Sequence, residues 1–321
     1  MKLKRPTFKD VLEVRGLIKD YLPRTPLYSY PLLNQLLDTK VYIKHENHMP
    51  IGVFKIRGGI NFMSHLTREQ KERGVVTAST GNHALAIVYA SNLFGVPVTI
   101  VMPEKANPAK VKTIKGLGAN IVFFGKIFDE AREYAEKLAG ERGVRFIHPA
   151  NEPDLIAGVG TYALEIFEDC PSLDVIIVPV GGGSGACGCC IVKEAVNPNV
   201  QVIGVQAEKA PAAYLSWKNK KIVKDKMETA AEGLATQVGY EFTQEILQDY
   251  LNDFILVSEE EMVQAILIYM DLTRNLAEDA GASPLAAALK IKERLKGKTV
   301  VLALTGGNIS MERLKEILSS S

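Results

Sequence analysis

The chain has 321 residues, 47% of them hydrophobic and 23% charged, with 38 Lys and Arg set against 37 Asp and Glu. That length allows roughly two domains with cores of their own, and a net charge of +1 excludes a charged disordered tail and a broad basic face for nucleic acid. No apolar run is long enough to span a bilayer, and Met1-Lys2-Leu3-Lys4-Arg5-Pro6 leads into no signal-peptide core, so a cytoplasmic protein with no membrane partner is expected.

The first segment with chemical content is Gly52-Val53-Phe54-Lys55-Ile56-Arg57-Gly58-Gly59, ahead of an expected helix. An ammonium held among an aromatic, β-branched residues and glycines has its charged form disfavoured. Its pKa falls, and the free amine can attack an aldehyde. Taken alone, a lysine at a helix start is more commonly a solvated surface residue.

Strands and helices then alternate regularly. Strands are expected over 75–79, 98–102, 121–124 and 145–148, with helices over 84–94, 108–117 and 129–143 between them. This βαβ series predicts a parallel sheet with helical crossovers. At its first strand-to-helix turn, Ser79-Thr80-Gly81-Asn82-His83 gathers hydroxyls, an amide and helix N-terminal N–H groups, donors suited to a carboxylate. The plainer alternative is a Ser or Thr N-cap with His83 on the helix surface.

A second series has strands over 174–180, 200–206, 254–257 and 299–305, again with helices between, and no low-complexity linker or internal repeat interrupts it. Between its first strand and a helix of small residues lies Gly181-Gly182-Gly183-Ser184-Gly185. Four glycines let the backbone close on an anion at a helix N-terminus, which an ordinary tight turn does not require. The segment is neither a dinucleotide fingerprint nor a Walker loop, so a phosphate without a nucleotide fits best. Cys187, Cys189 and Cys190 follow on the helix; lacking Cys-x-x-Cys spacing, they read as packing residues rather than metal or redox ligands.

Lys55, the Ser79 to His83 turn and the 181–185 loop stand in the order and spacing of a known family. Together with Thr25-Pro26-Leu27, Phe54-Lys55-Ile56-Arg57-Gly58, His148-Pro149-Ala150-Asn151 and Thr305-Gly306-Gly307-Asn308, they make the chain resemble the fold-type II pyridoxal-phosphate enzymes. The resemblance is to the threonine/serine dehydratase and serine racemase group and covers nearly the whole chain. It implies an α/β protein of two parallel-sheet domains, tryptophan synthase β-like, with the cofactor in the interdomain cleft. Residues 1–73 and 152–321 would form a large pyridoxal-phosphate-binding domain, and 74–151 an inserted small α/β domain.

The same resemblance implies residue roles. Lys55 would carry pyridoxal 5'-phosphate and remove the substrate Cα proton. Phe54 would flank the ring, unless it is a plain core aromatic, and Asn82 would meet the ring 3′-oxygen. Gly181, Gly182, Gly183, Ser184 and Gly185 would cradle the phosphate. Thr305 would face the pyridine nitrogen, unless it only caps a turn; a neutral hydroxyl there stabilises a ring proton less than a carboxylate, favouring loss of a β-substituent. Ser79, Thr80, Gly81, Asn82, His83 and Glu278 would bind substrate. Glu278, in a turn resembling the family's Glu-Pro-x-Gly-Ala with Asp279 for Pro, is either an orienting group or a buried structural acid.

The implied activity is that of a carbon–oxygen lyase, a threonine/serine ammonia-lyase converting L-threonine, L-serine or both to a 2-oxo acid and ammonia by α,β-elimination. Its alternatives are a serine racemase or dual racemase/dehydratase, a β-replacing synthase of the cysteine-synthase type, and a non-catalytic ligand-binding module. Thr80 stands where racemases use a Ser as second base, and its methyl restricts χ1. Of the racemase cation site, Glu208 and Ala212 match but Tyr214 replaces an Asp, which leaves Glu208 as a weakly supported metal candidate. The cysteine-synthase turn lacks a histidine at the position of His83. Expected partners are a small amino-acid substrate and a second copy of the chain, as a dimer or tetramer, and the regulatory domain of biosynthetic threonine dehydratases is expected to be absent.

Overall fold

In a computed structural model describing residues 3–126 and 128–319, the chain forms two sheets. Met1 and Lys2 of the N-terminal segment, and Ser320 and Ser321 at the end of the expected large domain, lie outside the described residues. The strands are β1 Leu27–Ser29, β2 Lys40–His45, β3 Val75–Ala78, β4 Val98–Met102, β5 Asn120–Phe123, β6 Arg145–Phe146, β7 Val175–Pro179, β8 Gln201–Ala207, β9 Asp253–Val257 and β10 Thr299–Leu304. The larger sheet has the order β1-β2-β10-β7-β8-β9 and the smaller β5-β4-β3-β6.

Every described strand pair is parallel except β1 with β2, an antiparallel edge. That edge departs from the all-parallel expectation, because a short helix over Pro31–Leu37 turns the chain back on itself instead of carrying it over the sheet. Neither β1 nor β2 follows from periodicity. The first is three residues long and not buried, and the second finds its parallel partner at the far end of the chain.

The parallel strands form because their residues are apolar on both faces. In β7, Val175 and Ile177 enter one core while Ile176 and Val178 enter the other. In β10, Val300, Leu302 and Leu304 join Val175 and Ile177 in the first core, and Val301 and Ala303 join Ile176 and Val178 in the second. Each such Val, Ile or Leu side chain withdrawn from water contributes roughly 1.5–3 kcal/mol. Strand ends differ from the expected ones by one or two residues, so Ser79 and Thr305 lie just past β3 and β10 in the connecting turns. The helix after β3 starts at Asn82 rather than at Ala84.

The helix Ile56–His65 joins the two sheets. A Cβ on Gly59 would come within 2.7 Å of the Ala86 carbonyl oxygen of the Asn82–Phe94 helix, and one on Gly58 within 2.8 Å of the Leu155 oxygen of the Pro153–Asp169 helix. Only glycine permits approaches this close. A single apolar cluster accordingly draws Ile56 and Ile60 together with Val75, Ile87 and Ile100 of the smaller sheet layer and with Leu155.

Below the start of this helix lies a buried ionic set. Arg57 donates through Nε and Nη2 to Glu46 at 2.8 Å each, and through Nη1 and Nη2 to Glu165 at 2.8 and 2.9 Å. Lys44 donates to the same Glu165 at 2.6 Å and to the Thr25 carbonyl oxygen at 2.9 Å. Burial works against both cations. For Lys44 it prevails and lowers the pKa; for Arg57 the two carboxylates outweigh it. Burial likewise opposes the Glu165 carboxylate, yet Arg57 and Lys44 bring its pKa down to about 2. Removing one member of such a set costs about 3–5 kcal/mol, since it strands a buried charge.

Candidate active site

Lys55 is the residue immediately before the Ile56–His65 helix. The segment leading to it is fastened to the end of β10: Val53 bridges Gly306, and the Phe54 N–H donates to the Thr305 carbonyl oxygen at 3.0 Å. Its Nζ lies 5.5 Å from the centroid of the Phe54 ring. Burial lowers the pKa of the amine, and the nearby charge of Glu278 only partly opposes this. The amine is therefore closer to its free, nucleophilic form than a surface lysine would be.

The glycine loop lies against Phe54. A Cβ on Gly185 would meet the Phe54 ring at 3.2 Å, and one on Gly182 would meet the Ala150 Cβ at 3.0 Å. Gly181 has no room for a side chain at all, since a Cβ would overlap the Gly233 carbonyl oxygen. Gly183 precedes the helix Ser184–Val196 with φ +96°, in the left-handed region, which favours glycine. Thr243 Oγ1 donates to the Gly182 carbonyl oxygen at 2.8 Å, fixing the loop just ahead of a helix N-terminus whose first N–H groups suit an anion.

Across the cleft, Ser79 Oγ accepts from the N–H groups of Gly81 and Ala84, both at 3.2 Å. It behaves as a helix cap while keeping its hydroxyl hydrogen to donate. Thr80, Gly81 and Asn82 are half-buried beside it. His83 is buried rather than on a helix surface, with Nε2 3.0 Å from Thr77 Oγ1. Thr77 spends its own hydrogen on the Ile147 carbonyl oxygen, so it accepts from Nε2–H. Burial, with Lys55 nearby, carries the His83 pKa down to about 3, and the ring is neutral.

Asn82 Nδ2 donates to both oxygens of Glu278, and its Oδ1 accepts from Asn308 Nδ2 at 2.8 Å. The Glu278 carboxylate also closes on Gly306, where a Cβ would come within 2.5 Å of Oε1. Protein atoms crowd this acid even though water reaches part of it through the cleft. That burial, against the Asn82 hydrogen bonds, raises its pKa to about 7. Glu232, in a short 3-10 turn over Glu232–Leu234, approaches Gly81 and pairs with Lys110 of the Pro108–Gly116 helix.

The structure thus brings together Lys55, Phe54, Thr305 and the 181–185 loop, with Glu278 closing on Gly306 and bonded to Asn82 of the Ser79 to His83 turn. Glu208 stands apart: Lys290 donates to it at 3.1 Å, and also to Glu261 and to the Leu256 carbonyl oxygen. Among the described residues no group of three His, Cys, Asp or Glu side chains converges as a metal site would. Asn308 and Glu232 are cleft residues that sequence reasoning did not assign. Asn308 lies within a motif, and only its long-range bond to Asn82 distinguishes it; nothing in the spacing of Glu232 signals its place.

The family pattern described as pyridoxal-phosphate dependent enzyme matches residues 18–306. An L-threonine ammonia-lyase from Thermotoga maritima is 39% identical over 98% of this chain and 78% of its own length. Among solved structures, processed threonine deaminase isoform 2 from Solanum lycopersicum superposes with TM-score 0.92 at 30% identity, covering 98% of this chain and 90% of that one. Serine racemase from Dictyostelium discoideum superposes with TM-score 0.89 at 33% identity, covering 95% and 99% respectively.

Proposed function

The chain belongs to the pyridoxal-phosphate dependent enzymes, and from that premise we propose that its cleft is a lyase site that converts L-threonine and L-serine to 2-oxo acids and ammonia. The names of the relatives support this activity, and the observation that carries it here is the buried Lys55 with its lowered pKa, next to Phe54, which is held between the glycine loop and the residue after β10. The groups present suit the cofactor. A glycine turn in which Gly181 has no room for a Cβ and Gly183 takes a positive φ, opening on a helix N-terminus, suits a phosphate, and an enclosed amine beside an aromatic ring suits an aldehyde-bearing heterocycle.

When bound, pyridoxal phosphate supplies the aldehyde that Lys55 engages and a ring that accepts the electrons left by the Cα proton. Lys55 would take that proton at Nζ, and burial, by disfavouring its charged form, favours the free amine that this requires. Phe54 limits the room on the glycine-loop side, and the Gly181 to Gly185 segment with Ser184 holds the phosphate. Asn82, whose amide is engaged by Glu278 and Asn308, would be the residue that meets the ring 3′-oxygen. Thr305, just past the end of β10, would offer a neutral hydroxyl to the ring nitrogen. The hydroxyls of Ser79 and Thr80 and the N–H groups at Asn82 and His83 would receive the substrate carboxylate beside Gly81, with the neutral His83 ring fixing the first helical turn.

Discrimination between threonine and serine rests on one methyl group, worth about 1–3 kcal/mol, so both are turned over. The reading includes a small domain over 74–151 set into a larger one, a homo-oligomer, dimer or tetramer, and a cytoplasmic location; no described helix is long and apolar enough to cross a membrane. Serine racemisation is the second reading, supported by the likeness to the Dictyostelium enzyme and by a half-buried hydroxyl-bearing residue, Thr80, in the turn before the Asn82–Phe94 helix.

The test is a visible spectrum of the cofactor-loaded protein before and after L-threonine, with 2-oxobutanoate and ammonia assayed alongside. Keto acid from the wild type and none from Lys55→Ala is the expected result. A cofactor band without keto acid would redirect the assignment to racemisation, read as D-serine formed from L-serine, or to β-replacement. No band at all under cofactor-replete conditions would overturn the role of Lys55.

A further inference from the structure

We infer that Arg57, clamped between Glu46 and Glu165, is a positioning residue that fixes Lys55 for proton transfer, so that the buried ionic set serves the reaction as well as the fold. This rests on Lys55 being the reactive lysine.

Three observations carry it. First, Lys55 lies between two anchors. The residues before it are tied to the end of β10 through Val53 and Phe54, and Arg57, two residues after it, is tied to the set. Second, the set reaches into three separate elements. Lys44 belongs to β2, Glu46 to the 3-10 turn following β2, and Glu165 to the Pro153–Asp169 helix. Thr161 Oγ1 of that same helix accepts from Arg57 Nη1 at 3.1 Å, and Thr25 Oγ1 lies 3.3 Å from Nη2. Third, the set is dry: Lys44, Glu46 and Arg57 are fully buried. Buried ion pairs add little stability over well-packed apolar side chains of the same volume. What two carboxylates in a fixed fork do supply is orientation, since the planar guanidinium meets each one in a single geometry. A displacement of about 1 Å at a reacting group costs on the order of 10²-fold in rate, so a clamp two residues from Nζ has a kinetic consequence. The candidate carboxylate cradle at Ser79 to His83 lies on another element and makes none of the bonds of the Arg57 set, so the loss is expected in kcat rather than in KM.

Arg57→Lys preserves the charge and removes the fork. In the cofactor-loaded protein, with folding checked by circular dichroism, kcat for L-threonine should fall at least about 10-fold while KM stays within about 2-fold. In the cofactor-free full chain, the pKa of Lys55, read from its acylation rate against pH, should rise as water enters around the loosened helix start. Neither change follows from a stability loss alone. Wild-type kcat together with an unchanged Lys55 pKa in folded Arg57→Lys would overturn the inference. Should that variant not fold, Thr161→Val removes a single bond to Nη1 and should lower kcat about 3-fold in the same pattern; wild-type kcat in Thr161→Val would then overturn it. Failure of the underlying reading looks different: Lys55→Ala would still make keto acid, or the wild type would make none.

Discussion

Asn82 places its side-chain nitrogen 2.8 Å from one oxygen of Glu278 and 2.9 Å from the other, bridging the helix that leaves β3 of the smaller sheet and the turn that opens the Asp279–Lys290 helix against the larger one. The acid end of this bridge is the more informative. Enclosure raises the Glu278 pKa from 4.5 to about 7, despite the two hydrogen bonds that favour its charged form.

The sign of the resulting pH dependence follows directly. Between about pH 4.5 and 7 the folded protein holds a proton that the unfolded chain has released, so the contribution is present below this window and is lost as pH rises through it. Its size is on the order of 1–3 kcal/mol, allowing for the water that reaches the cleft. Urea unfolding of the cofactor-free protein at pH 5 and pH 7.5 should show wild type losing stability relative to Glu278→Gln over this interval. A wild-type-to-variant difference that does not change with pH would contradict the burial of this acid.

The glycine loop makes a steric prediction. Gly181→Ala forces its new methyl group into the Gly233 carbonyl, and Gly183→Ala puts a side chain at φ +96° against Thr243, a strain of about 1–3 kcal/mol. Both should weaken cofactor binding at least about 10-fold, measured by fluorescence titration of the folded protein. Gly140→Ala is the control. It lies inside the Phe128–Arg142 helix with nothing within 4 Å of its added carbon, so it should gain up to about 1 kcal/mol of stability and leave cofactor affinity unchanged. Unaltered affinity in Gly181→Ala would argue that the loop does not hold the phosphate.

How much of this is legible in the sequence depends on the range of the interaction. Strands β3, β4, β7 and β10 announce themselves because residues buried on both faces read as unbroken apolar runs, and four glycines at one turn have few other uses. The edge pair β1 and β2 does not, since an exposed three-residue strand carries no pattern. The candidate site divides the same way. Lys55, the glycine loop and the Ser79 to His83 turn are local motifs. The partnership of Asn82 with Glu278, the bond from Asn308 and the approach of Glu232 to Gly81 join residues distant along the chain, and no spacing encodes them. Arg57 illustrates the limit: its motif is visible, while the two acids that hold it lie on elements that only the fold brings together.

The four cysteines offer a simple chemical check. Burial raises the Cys189 thiol to about 12 and pushes Cys187, Cys190 and Cys170 up as well. All four side chains are buried, and Cys189 Sγ lies 3.0 Å from the Tyr162 hydroxyl. A thiol that does not ionise does not attack a disulfide reagent. At pH 8 the native protein should react with none of its four thiols over minutes, and with all four once denatured. Rapid reaction of one or more in the native state would show that the core around Cys187, Cys189 and Cys190 opens readily.

Three histidines govern the acid limit. Burial lowers His45 and His148 from 6.5 to about 4 and His83 to about 3, with His48, Arg132 and Lys55 as respective neighbours adding to the effect. Each is neutral when folded and charged when unfolded below pH 6.5. The stability that goes with the neutral ring is therefore complete above that value and lost as pH falls toward the folded pKa. At about 1.4 kcal/mol per proton per pH unit, the three together remove at most about 4 kcal/mol for each unit between pH 6 and 4, with Glu278 opposing by about one proton. Calorimetric unfolding at pH 5.5 in buffers of different ionisation heat should register a net uptake of roughly two protons; a net release would contradict the neutral burial of these rings. His148 adds a local consequence, because its Nδ1 accepts from the N–H groups of Ala150 and Asn151 at 3.0 and 2.8 Å, and Ala150 abuts Gly182. Protonating that nitrogen breaks both bonds beside the glycine loop. Cofactor should accordingly leave the protein as pH falls from 6 to 4, before the far-ultraviolet circular dichroism changes; simultaneous loss of both signals would show that the loop and the fold give way as one unit.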